Sequence, residues 1–348
     1  MDQMNSRELG EILGAVPLPL VVIDPDGRIA AANAPGADLL GAEQIGRDHA
    51  IGLRQPALLA AIQKALQGSG PEQIREQIRY EVLKAPHATS YLVTVTPVRV
   101  ASETMVICAF EDITEREFVT QFRRDFIANI SHELRSPLTA LMGIIETLEG
   151  PARDDPAART RFLKTMKAEA ARMSRLVRDL LSLSQAEARE RERPEVPVDI
   201  PRLVAGVVDA LRPVAKTAGV TLEIAGTAPV APVPADADQI TQVVQNLVEN
   251  AIKYDRRGKR VTIAVLPDEA GDMLRIDIVD QGQGIEPQHL PRLTERFYRV
   301  DPSRSRGQGG TGLGLAIVKH IIHRHRGRLG IASTLGEGTR VSVFLPRG

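Results

Sequence analysis

The spacing of apolar residues changes character along the chain, and each change predicts a different kind of element. Near the N-terminus, PLVVIDPDGRIAAAN puts a short apolar run on either side of the turn signal Asp26-Gly27, which predicts a β-hairpin. A helical stretch of small residues follows. PALLAAIQKALQG then predicts an amphipathic helix closed by Gly68. Three strand-like runs come next, at residues 73–83, 90–99 and 104–110. Strands, helices and strands in that order predict an α+β unit with one face of its sheet covered.

From residue 115 to about 193 the rhythm is helical. Ile127, Ile130, Leu134, Leu138, Leu141, Ile145 and Leu148 follow one another by steps of three and four, the seam of a coiled-coil-like helix. GPARDDPAA interrupts the pattern. Leu163, Met166, Ala170, Met173, Val177 and Leu180 then form a second seam. Two such helices predict a hairpin, and each narrow stripe buries little alone, so pairing with a second copy into a four-helix bundle is expected. The charged, proline-containing run ARERERPEVPV (188–198) reads as a linker. Beyond it helices mix with strands, the clearest at 261–266, 274–279 and 341–345.

With 348 residues the chain is long enough for two or three domains. Equal numbers of acidic and basic side chains, 44 of each, give no bulk attraction to nucleic acid or anionic membrane. Cys108 is the single cysteine, which excludes an internal disulfide, and its apolar neighbours mark it as a small buried hydrophobe. The best apolar run, residues 15–23, is too short to span a bilayer and contains Pro17 and Pro19. No basic, apolar leader opens the chain, so a cytoplasmic location is expected.

The chemistry is concentrated in the helical and C-terminal segments. In FIANISHELRSPLTALMG, His132 lies roughly 160° around the helix from the seam, and Ser136 shares its side. A displayed imidazole beside the Glu133 carboxylate is a candidate nucleophile, because an acceptor on one ring nitrogen sets the tautomer and stabilises developing positive charge. Pro137 removes one helical hydrogen bond. In NLVENAIKY, Asn246 and Asn250 share a helix face, an amide oxygen suits Mg²⁺, and Lys253 suits phosphate. DQGQGI places Asp280, Gly282, Gly284 and Ile285 after an apolar strand, where a carboxylate can accept from an exocyclic amine such as adenine's. GGTGLGLAIVKHI runs from Gly310, Thr311, Gly312, Leu313 and Gly314 into a helix, a potential anion site. Between these lies RFYRVDPSRSRGQ, with Phe297 and Arg299, a basic candidate lid. Taken singly, each cluster has a bland explanation, and neither the P-loop order nor a dinucleotide fingerprint is present. His320, His323 and His325 read as a solvated face rather than a metal site.

The ordered set FIANISHELRSPL, NLVENAIKY, DQGQGI, RFYRV and GGTGLGL resembles the transmitter of two-component sensor histidine kinases, over about residues 118–348. The resemblance implies a multidomain α+β protein in three parts. These are a PAS-like α/β sensor at 1–115, a helical-hairpin dimerisation and phosphoacceptor bundle at 116–192, and an α/β sandwich ATP-binding domain at 193–348. The opening hairpin and the exit FEDITERE are what resemble a PAS domain. No haem or flavin signature stands out, and His49 and His87 read as surface residues.

The resemblance further implies ATP and Mg²⁺ as cofactors, a homodimer, and a response regulator receiver domain as partner. His132 would be the nucleophile and Glu133 its activating partner. Asn250 would hold Mg²⁺ beside Asn246, and Lys253, Tyr254 and Arg299 would surround phosphates and ribose. Asp280 would read adenine. Gly282, Gly284, Gly310, Gly312 and Gly314 would shape the pocket. Ser136 stands where many members carry the threonine or asparagine used for dephosphorylation. The arrangement is similar to phosphate-regulon sensor kinases. The alternative is a sensor scaffold whose kinase has decayed.

Overall fold

The computed structural model describes residues 13–67, 76–84, 87–100, 103–188, 192–227, 231–255, 260–268, 271–301 and 310–347. The chain divides into two compact units, Met1–Ile127 and Ala128–Gly348.

The first unit opens with the expected hairpin, β1 (Leu20–Ile23) and β2 (Ile29–Ala32). Gly27 takes φ +79° in its turn, and Asp24 Oδ1 accepts from the Arg28 amide at 2.8 Å. Helices α1 (Ala34–Leu40), α2 (His49–Gly52) and α3 (Pro56–Gln67) follow, then β3 (Glu76–Lys84), β4 (His87–Val100) and β5 (Glu103–Asp112). The sheet order is β2-β1-β5-β4-β3, antiparallel at every pairing, so the last strand closes against the first.

Leu58, Ala61 and Ile62 of α3 pack with Val21, Ile23, Val93, Val95 and Val106 of the sheet. Phe110 is fully buried, with the rings of Tyr80 and Tyr91 edge-on at 5.8 and 6.1 Å. Cys108 is buried as expected, and burial pushes its thiol up to about 12. Asn33 was not anticipated as a core residue. Its Oδ1 accepts from the Leu20 and Gly36 amides, and its Nδ2 reaches the carbonyls of Leu13, Val16 and Leu18. One side chain thus caps α1 and ties the entry strand down. His49 is half-buried, with Nδ1 2.6 Å from the Gly27 carbonyl; the side chain of His87 lies outside the described residues.

Two long helices follow, α4 (Thr114–Glu149) and α5 (Pro156–Ala188). α4 continues through Pro137, which is buried. In the break between them Asp155 Oδ1 accepts from the amides of Ala157 and Ala158 and starts α5. The second unit then contains β6 (Pro197–Val198), α6 (Ile200–Ala218), β7 (Thr221–Thr227), β8 (Val233–Pro234), α7 (Ala237–Tyr254), β9 (Arg260–Pro267), β10 (Met273–Asp280), α8 (Gly314–Arg324), β11 (Arg328–Thr334) and β12 (Gly338–Pro346).

Its five-stranded sheet runs β11-β12-β10-β9-β7, with β7 parallel to β9 and the other pairings antiparallel. α6, α7 and α8 pack on this sheet, and along β9 buried Val261, Ile263 and Val265 alternate with more exposed residues. The result is the expected two-layer sandwich. Asp199 and Asp236 cap α6 and α7 through the Arg202 and Gln239 amides, and Gly219 ends α6 in the left-handed region.

The seams of the hairpin are only half covered by one chain. Leu134, Leu141, Ile145 and Leu148 are half-buried, while Ile127, Leu138, Leu163 and Val177 are exposed. The fully buried apolar residues of α5 are different ones. Leu176, Leu183 and Ala186 lie outside the predicted seam, on a helix that packs against α8.

Candidate functional site

α7 presents Asn246, Asn250 and Lys253 at helical spacing, all half-buried, and ends at exposed Tyr254, over whose ring Lys253 Nζ sits at 5.0 Å. The Asn246 amide faces Gly314, the first residue of α8. Its Nδ2 is buried and has no hydrogen-bond partner among the described residues. A buried donor left without an acceptor costs about 1–3 kcal/mol, so this position suits an incoming acceptor such as a phosphate oxygen. An amide nitrogen does not ligate metal. Asn250, one turn along, can offer an oxygen to Mg²⁺, which commonly takes one or two protein oxygens and keeps its waters and phosphate ligands.

Asp280 ends β10 and is buried; its Oδ1 accepts from the Gly282 amide at 2.9 Å and the Thr339 amide at 3.2 Å. Burial, aided by the nearby Asp255, raises its carboxyl above the ordinary carboxylate range despite those two bonds. The glycines beside it are required by close approach of the protein's own backbone. A Cβ on Gly282 would come 2.6 Å from the Tyr254 carbonyl oxygen, and one on Gly284 (φ +70°) would run into the Thr334 carbonyl. Ile285 donates its amide to Ser333 Oγ at 2.9 Å.

Phe297 and Gly312 are locked together. Phe297 sits at φ +63°, its amide bonds the Gly312 carbonyl at 2.9 Å, and a Cβ on Gly312 would collide with its backbone. Thr311 donates to Asp179 Oδ2 on α5 at 2.7 Å and accepts from the Leu313 amide at 3.3 Å. Burial raises the Asp179 carboxyl, against the lowering effect of the Thr311 bond. Gly310 borders residues 302–309, so most of the candidate lid lies outside the described residues.

On α4, His132 and Ser136 are exposed, as their helical phase predicts. Glu133 points its Oε2 at two guanidinium groups, Arg172 Nη2 at 2.6 Å and Arg299 Nη2 at 3.2 Å. Arg299, expected among phosphates, is thus held beside the histidine's neighbour. Arg296 pairs with Glu187 on α5, which also lies 3.6 Å from His320 Nε2. The reading of three solvated histidines needs correction at His325. It is buried, accepts from the Asp236 amide at 3.0 Å through Nε2, and approaches the Ile321 carbonyl through Nδ1 at 2.7 Å. Burial lowers its pKa.

The structure therefore brings Asn246 to Gly314, Gly282 to Tyr254, Phe297 to Gly312, and Arg299 to Glu133. Residues missed from sequence are Arg172, Asp179 and Glu187, which share one face of α5 with buried Leu176 and Leu183. Their steps of 4, 3, 4 and 4 along 172, 176, 179, 183 and 187 were the available signal.

A PAS-like sheet, a histidine-bearing hairpin and an α/β nucleotide sandwich define a sensor with a phosphoacceptor and an ATPase-type domain. Residues 13–117 match the PAS fold, 122–189 the His Kinase A (phospho-acceptor) domain, and 235–348 the histidine kinase-, DNA gyrase B- and HSP90-like ATPase family. The sensor protein kinase WalK of Staphylococcus aureus is 31% identical over 348 residues, 99% of this chain and 82% of that protein. The phosphate regulon sensor protein PhoR of Pseudomonas aeruginosa is 42% identical over 229 residues, 66% of this chain and 51% of the relative. Bacillus subtilis WalK is 31% identical over 350 residues, 99% of this chain and 56% of the relative. The chain belongs to the two-component sensor histidine kinases. It spans about half the length of several curated relatives it matches. Histidine kinase ThkA, solved in complex with the response regulator protein TrrA, shares the fold over the whole chain at TM-score 0.52 and 18% identity. Among the described residues no helix is long and apolar enough to cross a membrane.

Proposed function

We propose that this chain is an ATP-dependent histidine kinase that phosphorylates itself on His132 and passes the phosphoryl group to an aspartate of a response regulator receiver domain. The observation that carries the reading is Asn246, a buried amide donor without an acceptor among the described residues, beside the glycine loop that opens α8. In the reaction a ring nitrogen of His132 attacks the γ-phosphorus, the bond to the bridging oxygen breaks, ADP leaves, and the ring gives up its proton. Glu133 stabilises the ring as charge develops. Asp280 holds the adenine amine, and Asn246, Lys253, Tyr254, Arg299 and the loop from Gly310 to Gly314 surround the phosphates and ribose. Asn250 holds Mg²⁺, which when bound neutralises phosphate charge.

The half-covered seams, with Ile127, Leu138, Leu163 and Val177 exposed, support a homodimeric four-helix bundle. The division at 1–115, 116–192 and 193–348 assigns sensing, dimerisation with phosphoacceptance, and ATP binding. Ser136 keeps a hydroxyl on the His132 face and supports dephosphorylation of the regulator. ATP as donor supports a cytoplasmic location for the reaction. Similarity to PhoR supports phosphate-type signalling, whereas WalK matches nearly the whole chain. Nothing in the site favours the decayed scaffold.

The test is incubation with γ-labelled ATP and Mg²⁺. Acid-labile, base-stable label on the wild type, lost in His132→Ala and in Asn250→Ala, is the expected result. Label that persists in His132→Ala would overturn the acceptor assignment.

A further inference from the structure

Glu133 is held by two cations through a single oxygen, and the two differ in where they come from. Arg299 belongs to the loop of the nucleotide-binding sandwich, whereas Arg172 projects from α5, the other arm of the hairpin that carries Glu133. Both guanidinium groups are nearly buried, with side chains 12% and 8% exposed for Arg172 and Arg299. Arg172 Nη2 makes the shorter bond, 2.6 Å against 3.2 Å, and its Nη1 lies 3.7 Å from Glu169 Oε2 one turn back on α5.

The four groups balance, two cations with two carboxylates. Breaking such a set by removing one member is costly, because the others keep their desolvation without their partner. The Glu133 side chain rotates about several bonds, and a fixed partner on a neighbouring helix removes that freedom in advance.

We infer that Arg172 is a positioning residue for the phosphoacceptor. It holds the Glu133 carboxylate by Oε2 from within the hairpin, so that Glu133 stays oriented beside His132 when Arg299 moves with the nucleotide. By sharing Oε2 it also loosens the grip of Glu133 on Arg299. The inference rests on the reading of His132 as the acceptor and adds a residue that touches neither ATP nor the imidazole.

The experiment is autophosphorylation of the full chain with γ-labelled ATP in wild type, Arg172→Met and Arg172→Lys. Met fills the stem of the side chain without its charge, and thermal melting of each variant checks the fold. Expected for Arg172→Met is a kcat lowered about tenfold with KM for ATP within about twofold, the scale seen when a supporting partner of a reactive group is removed. Arg172→Lys restores the charge and a single donor and recovers part of kcat. A wild-type kcat in Arg172→Met would overturn the inference. So would equal losses in both variants that follow lowered melting temperatures. In those cases label on wild-type His132 leaves the proposed function standing. Absence of label on wild-type His132 defeats both.

Discussion

The two units each build a five-stranded sheet with helices packed against it, yet they bury different things. Among the described residues of the N-terminal unit the buried polar side chain is Asn33, and hydrogen bonds engage both ends of its amide. In the C-terminal unit Asp255, Asp277, Asp280, Arg324 and His325 are buried, and the half-buried Asn246 hides a donor with no partner among the described residues. The first interior is organised for packing, with one polar residue used as a clasp. In the second, Asp277, Arg324 and His325 are paired within the fold, while the Asn246 donor is hidden without a partner among the described residues, a cost that folding alone does not require. The difference separates structural from chemical use of the same sheet-and-helix architecture.

The comparison can be broken most forcefully in the first unit. Phe110→Ala removes a fully buried ring that meets Tyr80 and Tyr91, and is expected to destabilise that unit by about 3–5 kcal/mol. Calorimetry of the full chain should show its transition moving while nucleotide binding by the second unit persists. Asn33→Ala strands several backbone groups and is expected to cost the same unit about 2–3 kcal/mol, read from denaturant midpoints.

In the second unit the effects should fall on function. Asp280→Asn keeps an oxygen for the Gly282 and Thr339 amides but replaces the other acceptor with a donor. Nucleotide affinity is expected to fall about thirtyfold, near 2 kcal/mol, with the melting temperature little changed; titration calorimetry with ATP decides it.

His325 supplies a smaller, pH-dependent effect. Burial lowers its folded pKa below the ordinary 6.5, so the unfolded chain binds the proton more readily and stability is lost as pH falls through that value. As pH falls below 6.5 the second unit should lose stability, read from denaturant midpoints, and His325→Gln should flatten the dependence. Asp179 and Asp280 act in the other direction and at lower pH. Their raised folded pKa values give stability that is present below the ordinary 3.8 and lost as pH rises through the folded values. The smallest expected effect on stability is that of Asn246→Leu, a gain of up to about 1 kcal/mol, accompanied by weakened nucleotide binding; unchanged binding would erase the contrast between the units.

What could be read from sequence depended on how local the signal was. The Asp26-Gly27 hairpin, the two long helices and the glycine loops are written in residues a few positions apart, and each appeared where expected. Asn33 and His325 were not legible as buried groups, because each also has partners far along the chain, 13 to 20 positions away for Asn33 and 89 for His325. The second face of α5 was missed for another reason. Arg172 and Asp179 alternate there with Leu176 and Leu183, and a count of apolar residues alone takes such a stripe for solvent-facing surface. It is where the nucleotide sandwich meets the hairpin, through Thr311 on Asp179 and α8 on α5. The candidate site was legible as a set of residue types in order, while the pairing of Arg299 with Glu133 required the three-dimensional approach of segments 166 positions apart.

The glycines of the nucleotide loops carry a consequence for descent. Gly282, Gly284 and Gly312 are fixed by backbone that presses against them, so a lineage that stopped phosphorylating would still be selected to keep them as long as it folded. On the proposed reading Asn246 has the opposite standing, since a buried donor without a partner among the described residues costs the fold and is retained for the phosphate it binds. Among diverging relatives, erosion of catalysis would be recorded first at this asparagine, in chains whose glycine motifs still looked intact.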